Sequence, residues 1–251
     1  MTKALFTTSW DDGHPLDLRL AELLSKHGFG ATFYVPVRNP GGHCTPGGLT
    51  VMSPAELRAL GQAFEIGSHT LEHAFLPELD DAAARRQVAE GKAELEAQLG
   101  SAVGGFCYPG GVFTDAHVQM VREAGFRHAR TIVNLRGARP ADAYRLPTTL
   151  QFYPHQRSVY LKNYLKFGDW PGRAPLFLDA IGHAALPARL EAMLDHVCAT
   201  DGVFHLWGHS WEVDAMGGWP ILERFLEYAA DRIPSAQRLS NGALVSALAP
   251  A

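Results

Sequence analysis

Short apolar runs alternate with amphipathic stretches along the whole chain. The segments "ALFTTSW" (4–10) and "ATFYVPV" (31–37) are rich in β-branched and aromatic residues and read as buried strands. Between them Pro15 opens a helix that carries Leu16, Leu20, Leu23 and Leu24 along one face. "RNPGGHCTPGG" (38–48) is a glycine- and proline-rich loop. Ser53-Pro54-Ala55-Glu56 has capping-box spacing and starts a helix through about Ala63. "FEIGSH" (64–69) is a short third strand, and Asp80 and Asp81 open a long polar-faced helix that reaches Leu99, where Gly100 stops it.

The alternation continues with strand "GGFCY" (104–108), a helix from Thr114 to Ala124, strand "RHARTI" (127–132) and a weaker strand "RLPTT" (145–149). Helices are expected around Ala174 to Gly182 and Pro187 to Thr200. The apolar strand "GVFHLW" (202–207) and a helix from Trp219 to Ala230 follow. Such a pattern predicts an α/β fold whose parallel sheet closes, or nearly closes, into a distorted (β/α) barrel of seven or eight strands. No repeat or linker interrupts it, so residues 1–251 read as a single domain.

Composition narrows the function. Hydrophobic residues make up 47% and charged residues 19%, which suits a packed core rather than a disordered chain. A formal net charge of -4 leaves no global basic footprint, so neither nucleic acid nor an anionic membrane is the expected partner. The N-terminus enters a strand at once, without the apolar core of a signal peptide; the expectation is a cytoplasmic protein, and no later run approaches a membrane span. Cys44, Cys107 and Cys198 are odd in number and scattered, which argues against a disulfide framework.

Barrels of this kind gather their chemistry at the C-terminal ends of the strands. The first predicted strand ends in Asp11 and Asp12, adjacent acids that repel each other and resist desolvation. The third ends in "GSHTLEH", with His69 and His73 four residues apart; on a helical turn they share one face and can bind one ion. Two imidazoles and one carboxylate, with a position left for water, form a catalytic zinc arrangement. A metal would also explain the acid pair: one carboxylate is neutralised as a ligand and the other stays free as a base.

The motifs "SWDDG", "GSHTLEH", a "YPGG" turn and a late strand-end histidine, in this order, resemble polysaccharide deacetylases of the NodB-homology type, close to carbohydrate esterase family 4. The resemblance runs from Leu5 to about Glu212. It implies a metal-dependent hydrolase that removes N-acetyl groups from an amino-sugar saccharide, with one divalent cation, zinc, on Asp12, His69 and His73. Asp11 would be the base for a metal-bound water, and Gly110 would offer its N–H to the oxyanion. His209 would protonate the departing amine, the alternative being a satisfied core histidine; His205, two residues earlier, is the one expected to be structural. Trp211, Tyr108 and His14 are candidate substrate contacts.

The match departs from the family at two points. The arginine of the third motif, which pairs with the base aspartate, is replaced by Cys107. Arg130 on the next strand is a candidate substitute, the alternative being a plain surface arginine. The family's aspartate–tryptophan element, which orients the catalytic histidine, is only faintly echoed by Asp169-Trp170, a dipeptide equally at home in a loop. His43 and Cys44 are a further pair able to bind metal, more simply read as incidental. Two other functions stay open: an amide or cyclic-imide hydrolase on the same scaffold, and a non-catalytic saccharide-binding relative. Oligomeric state is left open.

Overall fold

A computed structural model of the chain describes residues 2–38 and 51–249. Its first strand, β1 (Leu5–Asp11), is buried along its whole length, as a central strand covered on both faces must be. In chain order there follow α1 (Asp17–Lys26), β2 (Thr32–Val35), α2 (Pro54–Gly61), β3 (Glu65–Ser68), α3 (Asp81–Leu99), β4 (Gly105–Cys107), α4 (Asp115–Glu123) and β5 (His128–Arg130). The second half holds β6 (Leu150–Gln151), α5 (Arg157–Lys166), α6 (Trp170–Gly182), α7 (Leu186–Ala199), β7 (Val203–Gly208), α8 (Ser210–Ala215), α9 (Trp219–Ala230), β8 (Arg238–Leu239) and α10 (Asn241–Leu248).

Among the described residues every pairing is parallel, in the order β5-β4-β3-β2-β1-β7-β6, with β8 on β1. β7 lines one edge of β1 from Leu5 to Trp10. The other edge is shared, with β8 taking Phe6 and Thr7 and β2 taking Ser9 to Asp11. The sheet's two outer edges are joined by the segment that leads into β6. Leu146 N–H donates to Ala129 and Leu146 C=O accepts from Thr131 (both 2.9 Å), and Thr149 N–H then donates to His205 (2.9 Å). Among the described residues, eight parallel strands thus make a curled, imperfectly closed barrel.

The expected strand "RLPTT" is corrected here. Only Leu146 bridges, to Arg130, and the regular strand starts one residue past Thr149, because Pro147 has no N–H to give a ladder. Helix starts follow their caps: Ser53 and Glu56 close a capping box, Asp80 accepts from Ala83 N–H (2.8 Å), and Gly100 ends α3 in the left-handed region at φ 73°. At α4 the ring of His117 stands where Glu or Gln usually completes the box, accepting from Thr114 N–H (3.1 Å).

The barrel's entry end is held by polar bonds. Asn241, buried at the start of α10, accepts from Thr7 Oγ1 (2.8 Å) and donates to Tyr34 Oη (2.9 Å). Glu65 receives Thr32 Oγ1 (2.7 Å), Gly242 N–H (2.8 Å) and the His128 ring (2.9 Å). Burial opposes ionisation of Glu65, yet His128 and these donors outweigh it and lower its pKa to about 2. The apolar core lies around this frame; Phe6, for one, packs edge-on to Phe29 (4.9 Å) and stacks on Phe204 (5.3 Å).

Candidate metal centre and catalytic cleft

Along a strand, side chains alternate between faces, so two consecutive acids would point apart. Asp12 escapes the alternation by taking a left-handed conformation, φ 80°, followed by Gly13 at φ 63°. Both carboxylates end up buried at the same strand end, Asp11 3% and Asp12 1% exposed. Such a conformation costs a non-glycine residue of order 1–3 kcal/mol and collects where function demands it.

The histidine pair is built the same way, which corrects the expected helical turn. Residues 69–73 form a non-helical turn with Thr70 at φ 67° and His73 at φ 56°. Thr70 Oγ1 accepts from Ala74 N–H (3.0 Å). α3 backs the turn at Gly91, where any Cβ would stand 2.7 Å from Leu71 N. The two rings meet edge to face, 4.6 Å between centroids.

His69 Nδ1 is bonded to Cys107 C=O (2.9 Å), which leaves Nε2 to face Asp12 Oδ1 at 4.0 Å; His73 Nε2 faces the same oxygen at 3.4 Å. That oxygen is buried and lacks a hydrogen-bond partner among the described residues. Asp12 Oδ2 is held instead by Trp211 Nε1–H (3.1 Å). Burial lowers the pKa of both imidazoles, His69 to about 4, so both are neutral near pH 7, the form a metal ligand needs. Ligand atoms of Asp12, His69 and His73 all lie within 4.8 Å of one another. An orphaned buried carboxylate oxygen between two neutral imidazole nitrogens fits a divalent cation. Asp11, His69 and Cys107 form a second such group, but both oxygens of Asp11 are already engaged.

Their partner is Arg130, fully buried, whose Nη2 donates to both Asp11 oxygens. The guanidinium lies 4.8 Å from the ring centre of Trp207 and 5.5 Å from that of Tyr34. Burial pushes the Asp11 carboxyl up, yet Arg130 first, then His69 and His209, leave it below its usual value. Cys107 Sγ sits 3.9 Å from Asp11 Oδ2.

Across the cleft, His209 Nε2 lies 3.8 Å from Asp12 Oδ2, while Nδ1 is bonded to Glu212 Oε2 at 2.6 Å. Gln151 Nε2 donates to the same glutamate oxygen (3.0 Å), and His155 in turn holds Gln151 Oε1 (2.8 Å). Burial alone would discharge His209; the Glu212 bond, with Asp12 and Asp11, raises it to about 9. Glu212, and not Asp169, is therefore the acid held against the His209 ring. Asp169 stands at the N-cap position of α6 without a side-chain cap bond, pairs with Arg136, and has Trp170 exposed beside it. The signal for Glu212 was its place three residues after His209 on a helix start, a spacing that reaches back over one turn.

The cleft encloses about 240 Å3. Asp11, His69, His73, Tyr108, Gly110, His209 and Trp211 line it, joined by Ile132, Trp207 and Glu212, of which Ile132 and Trp207 had no signal in the sequence. Tyr108, expected as a substrate contact, is instead fully buried in the cleft wall: its hydroxyl donates to Tyr144 C=O (3.1 Å) and its ring stacks on Phe113 (4.3 Å). Gly110, at φ 61°, tops a tight turn whose next two amides, of Gly111 and Val112, are spent on Tyr108 and Pro109 carbonyls. His14 stands outside the lining and accepts from Leu16 N–H (3.1 Å). His205 is buried with both ring nitrogens bonded, to Ser9 Oγ and Pro147 C=O. His43 and Cys44 lie outside the described residues. A larger hollow of about 450 Å3 opens beside Gly202 at the opposite barrel end; the titratable groups lining it, Arg139, His196 and Asp201, are exposed or half-buried. Among the described residues no helix is long and apolar enough to cross a membrane.

The polysaccharide deacetylase family model matches residues 2–129. No curated protein matches. Among solved structures, a Mycobacterium smegmatis protein described as a polysaccharide deacetylase superposes with a TM-score of 0.67 over 99% of this chain and 93% of its own, at 16% identity. A family 4 carbohydrate esterase from Streptomyces lividans, solved with acetate, gives a TM-score of 0.55 over 92% and 91%, at 12% identity. At these identities the likeness is one of fold. A Bacillus cereus polysaccharide deacetylase aligns over 56% of this chain at 21% identity (TM-score 0.46), and the chain spans 45% of that protein's length.

Proposed function

Because the chain belongs to the polysaccharide deacetylase family, we propose that it hydrolyses the acetamide of an N-acetylated amino-sugar saccharide. The observation that carries this reading is the pairing of two differently tuned groups across one cleft. Asp11 is a carboxylate kept ionised by buried Arg130, and His209 is an imidazole kept protonated by Glu212; Asp12, with its orphaned oxygen, follows Asp11 in the chain and lies 3.8 Å from His209. Such a separation of acid and base strengths supports Asp11 as base and His209 as acid.

A divalent cation on Asp12, His69 and His73, zinc by the ligand types, would polarise the acetamide carbonyl and acidify the attacking water. Asp11 accepts the proton as the water oxygen bonds to the carbonyl carbon. Arg130 keeps both Asp11 oxygens aimed and charged throughout. Gly110, at the turn beside the cleft, would offer its N–H to the oxygen that gains negative charge. His209 Nε2 delivers its proton to the sugar nitrogen as the C–N bond breaks, releasing acetate and a free amine. Glu212 on Nδ1 fixes the tautomer that presents a proton at Nε2. Trp211 gives the sugar ring an apolar wall.

The test is acetate release from N-acetylated chitooligosaccharides by metal-loaded protein, wild type against Asp11→Asn. The variant should keep its metal and lose ~10²- to 10⁴-fold in rate. Loss of metal together with activity would exchange the roles of the two aspartates. Metal-loaded wild type that releases no acetate but hydrolyses a cyclic imide would move the activity to that class.

A further inference from the structure

The chain's net charge hides one cationic, greasy surface. Among the described residues five large apolar side chains are exposed, and four of them lie on the α5–α6 hairpin: Leu161 (48%), Leu165 (57%), Trp170 (54%) and Leu178 (62%). We propose that this hairpin is a peripheral docking surface for an anionic lipid bilayer.

The helix geometry carries the argument. α5 buries Tyr160, and its Tyr164 ring stacks on Phe177 of α6 at 4.2 Å. At about 100° per residue, Leu161 and Leu165 stand about 40° apart, at the outer edge of that seam. On the same wheel Lys162 and Lys166 lie about 100° beyond their respective leucines, and Arg157 about 40° to the other side. α5 is thus inverted relative to an ordinary surface helix: leucines occupy the outward stripe and cations border them. That is the pattern of a helix lying in a membrane interface, with lysine stems able to bend toward headgroups. On α6, Trp170 and Leu178 extend the apolar strip.

Charge decides the kind of partner. α5 contains no acid, and Asp179, the only acid within α6, turns to His196 of α7 (3.6 Å). Asp169, at the hairpin turn, is neutralised by Arg136. A second copy docking face to face would oppose these lysines to themselves, whereas an anionic lipid surface satisfies leucines and lysines together.

Co-sedimentation of the full chain with phosphatidylcholine vesicles, with and without phosphatidylglycerol, tests this. Binding is expected only with the anionic lipid and should weaken with salt. A basic residue near an anionic surface is worth roughly fivefold in partitioning, so Lys162→Glu/Lys166→Glu should cost at least roughly 25-fold. Leu161→Ser/Leu165→Ser should cost at least roughly tenfold. All four positions are outside the cleft, so the far-ultraviolet spectrum and metal content of each variant should match wild type. Failure to bind either vesicle, or binding that both double variants retain, would overturn the proposal. So would self-association in sedimentation velocity that the leucine variant abolishes, which would make this face a contact between copies.

Discussion

The buried pair of Arg130 and Asp11 is the interaction whose worth can be measured most cleanly. In Arg130→Met the carboxylate stays in place, 3% exposed, beside Asp12, with the Cys107 thiol at 3.9 Å and the His69 and His209 imidazoles as its remaining neighbours. An adjacent arginine lowers a carboxyl pKa by roughly 1–3 units, and each unit is worth about 1.4 kcal/mol. The pair's electrostatic share is therefore about 1.4–4 kcal/mol, in line with the ~3–5 kcal/mol usual when one partner of a buried pair is removed. Asp11→Asn/Arg130→Met removes both charges and should recover most of that loss. Urea unfolding of the metal-free wild type, both single variants and the double variant should give a coupling of about 3 kcal/mol.

The pH dependence has a definite sign. In the wild type Asp11 lies below its usual value, so its contribution is present near neutrality and fades as acid protonates it. In Arg130→Met burial raises the carboxyl pKa instead. The variant's deficit should then be full at neutral pH and shrink as pH falls toward about 4, where protonation removes the unpaired charge. A coupling under about 0.5 kcal/mol, or a deficit that does not change with pH, would refute the reasoning.

Other outcomes follow from single contacts. His69→Ala should release most of the bound metal, measured by elemental analysis after dialysis; full occupancy would exclude the Asp12–His69–His73 set. Glu212→Gln keeps a hydrogen bond to His209 but not the charge, and should lower kcat roughly 10- to 100-fold with KM little changed; an equal rise in KM would point to substrate binding instead. Glu65, held at about 2 against an ordinary 4.5, contributes up to about 3 kcal/mol above pH 4.5, lost as pH falls toward 2. Glu65→Gln should therefore flatten the acid limb of stability in thermal melts across that window.

What the sequence disclosed was local. The strand ends that carry Asp11, His69 and His209 stand out because an apolar run stops at a polar residue, and the caps at Ser53, Asp80 and Thr114 are written within four residues. Elements whose reason is tertiary were silent. β8 and β6 have two residues each and exist through their partners β1 and β7. α5 faces its leucines outward, which defeats a reading based on a buried stripe. The histidine pair was legible as chemistry but not as geometry, because a left-handed Thr70 follows from the close approach of Gly91, not from any local preference. Glu212 was legible as a residue three positions past His209, but the Gln151 that holds the same oxygen from another strand was not.

The relocated arginine offers the last test. Cys107 and Arg130 are register partners on β4 and β5, so their Cα atoms sit at one level of the barrel. A family pattern that places the cation at 107 and this chain, which places it at 130, thus address the same carboxylate from neighbouring strands. The small thiol is part of the arrangement: it leaves the guanidinium room beside Asp11. Cys107→Arg alone should therefore be harmful, by overpacking at about 1–3 kcal/mol and by setting two buried cations side by side. Arg130→Cys alone should be harmful for the reason already given. The exchange Cys107→Arg/Arg130→Cys restores one cation and one small residue, and should be more stable and more active than either single variant. Additive losses in the double variant, read by unfolding and acetate release, would mean that Asp11 depends on the particular path Arg130 takes from β5, between Tyr34 and Trp207, and not on a cation at that level of the barrel.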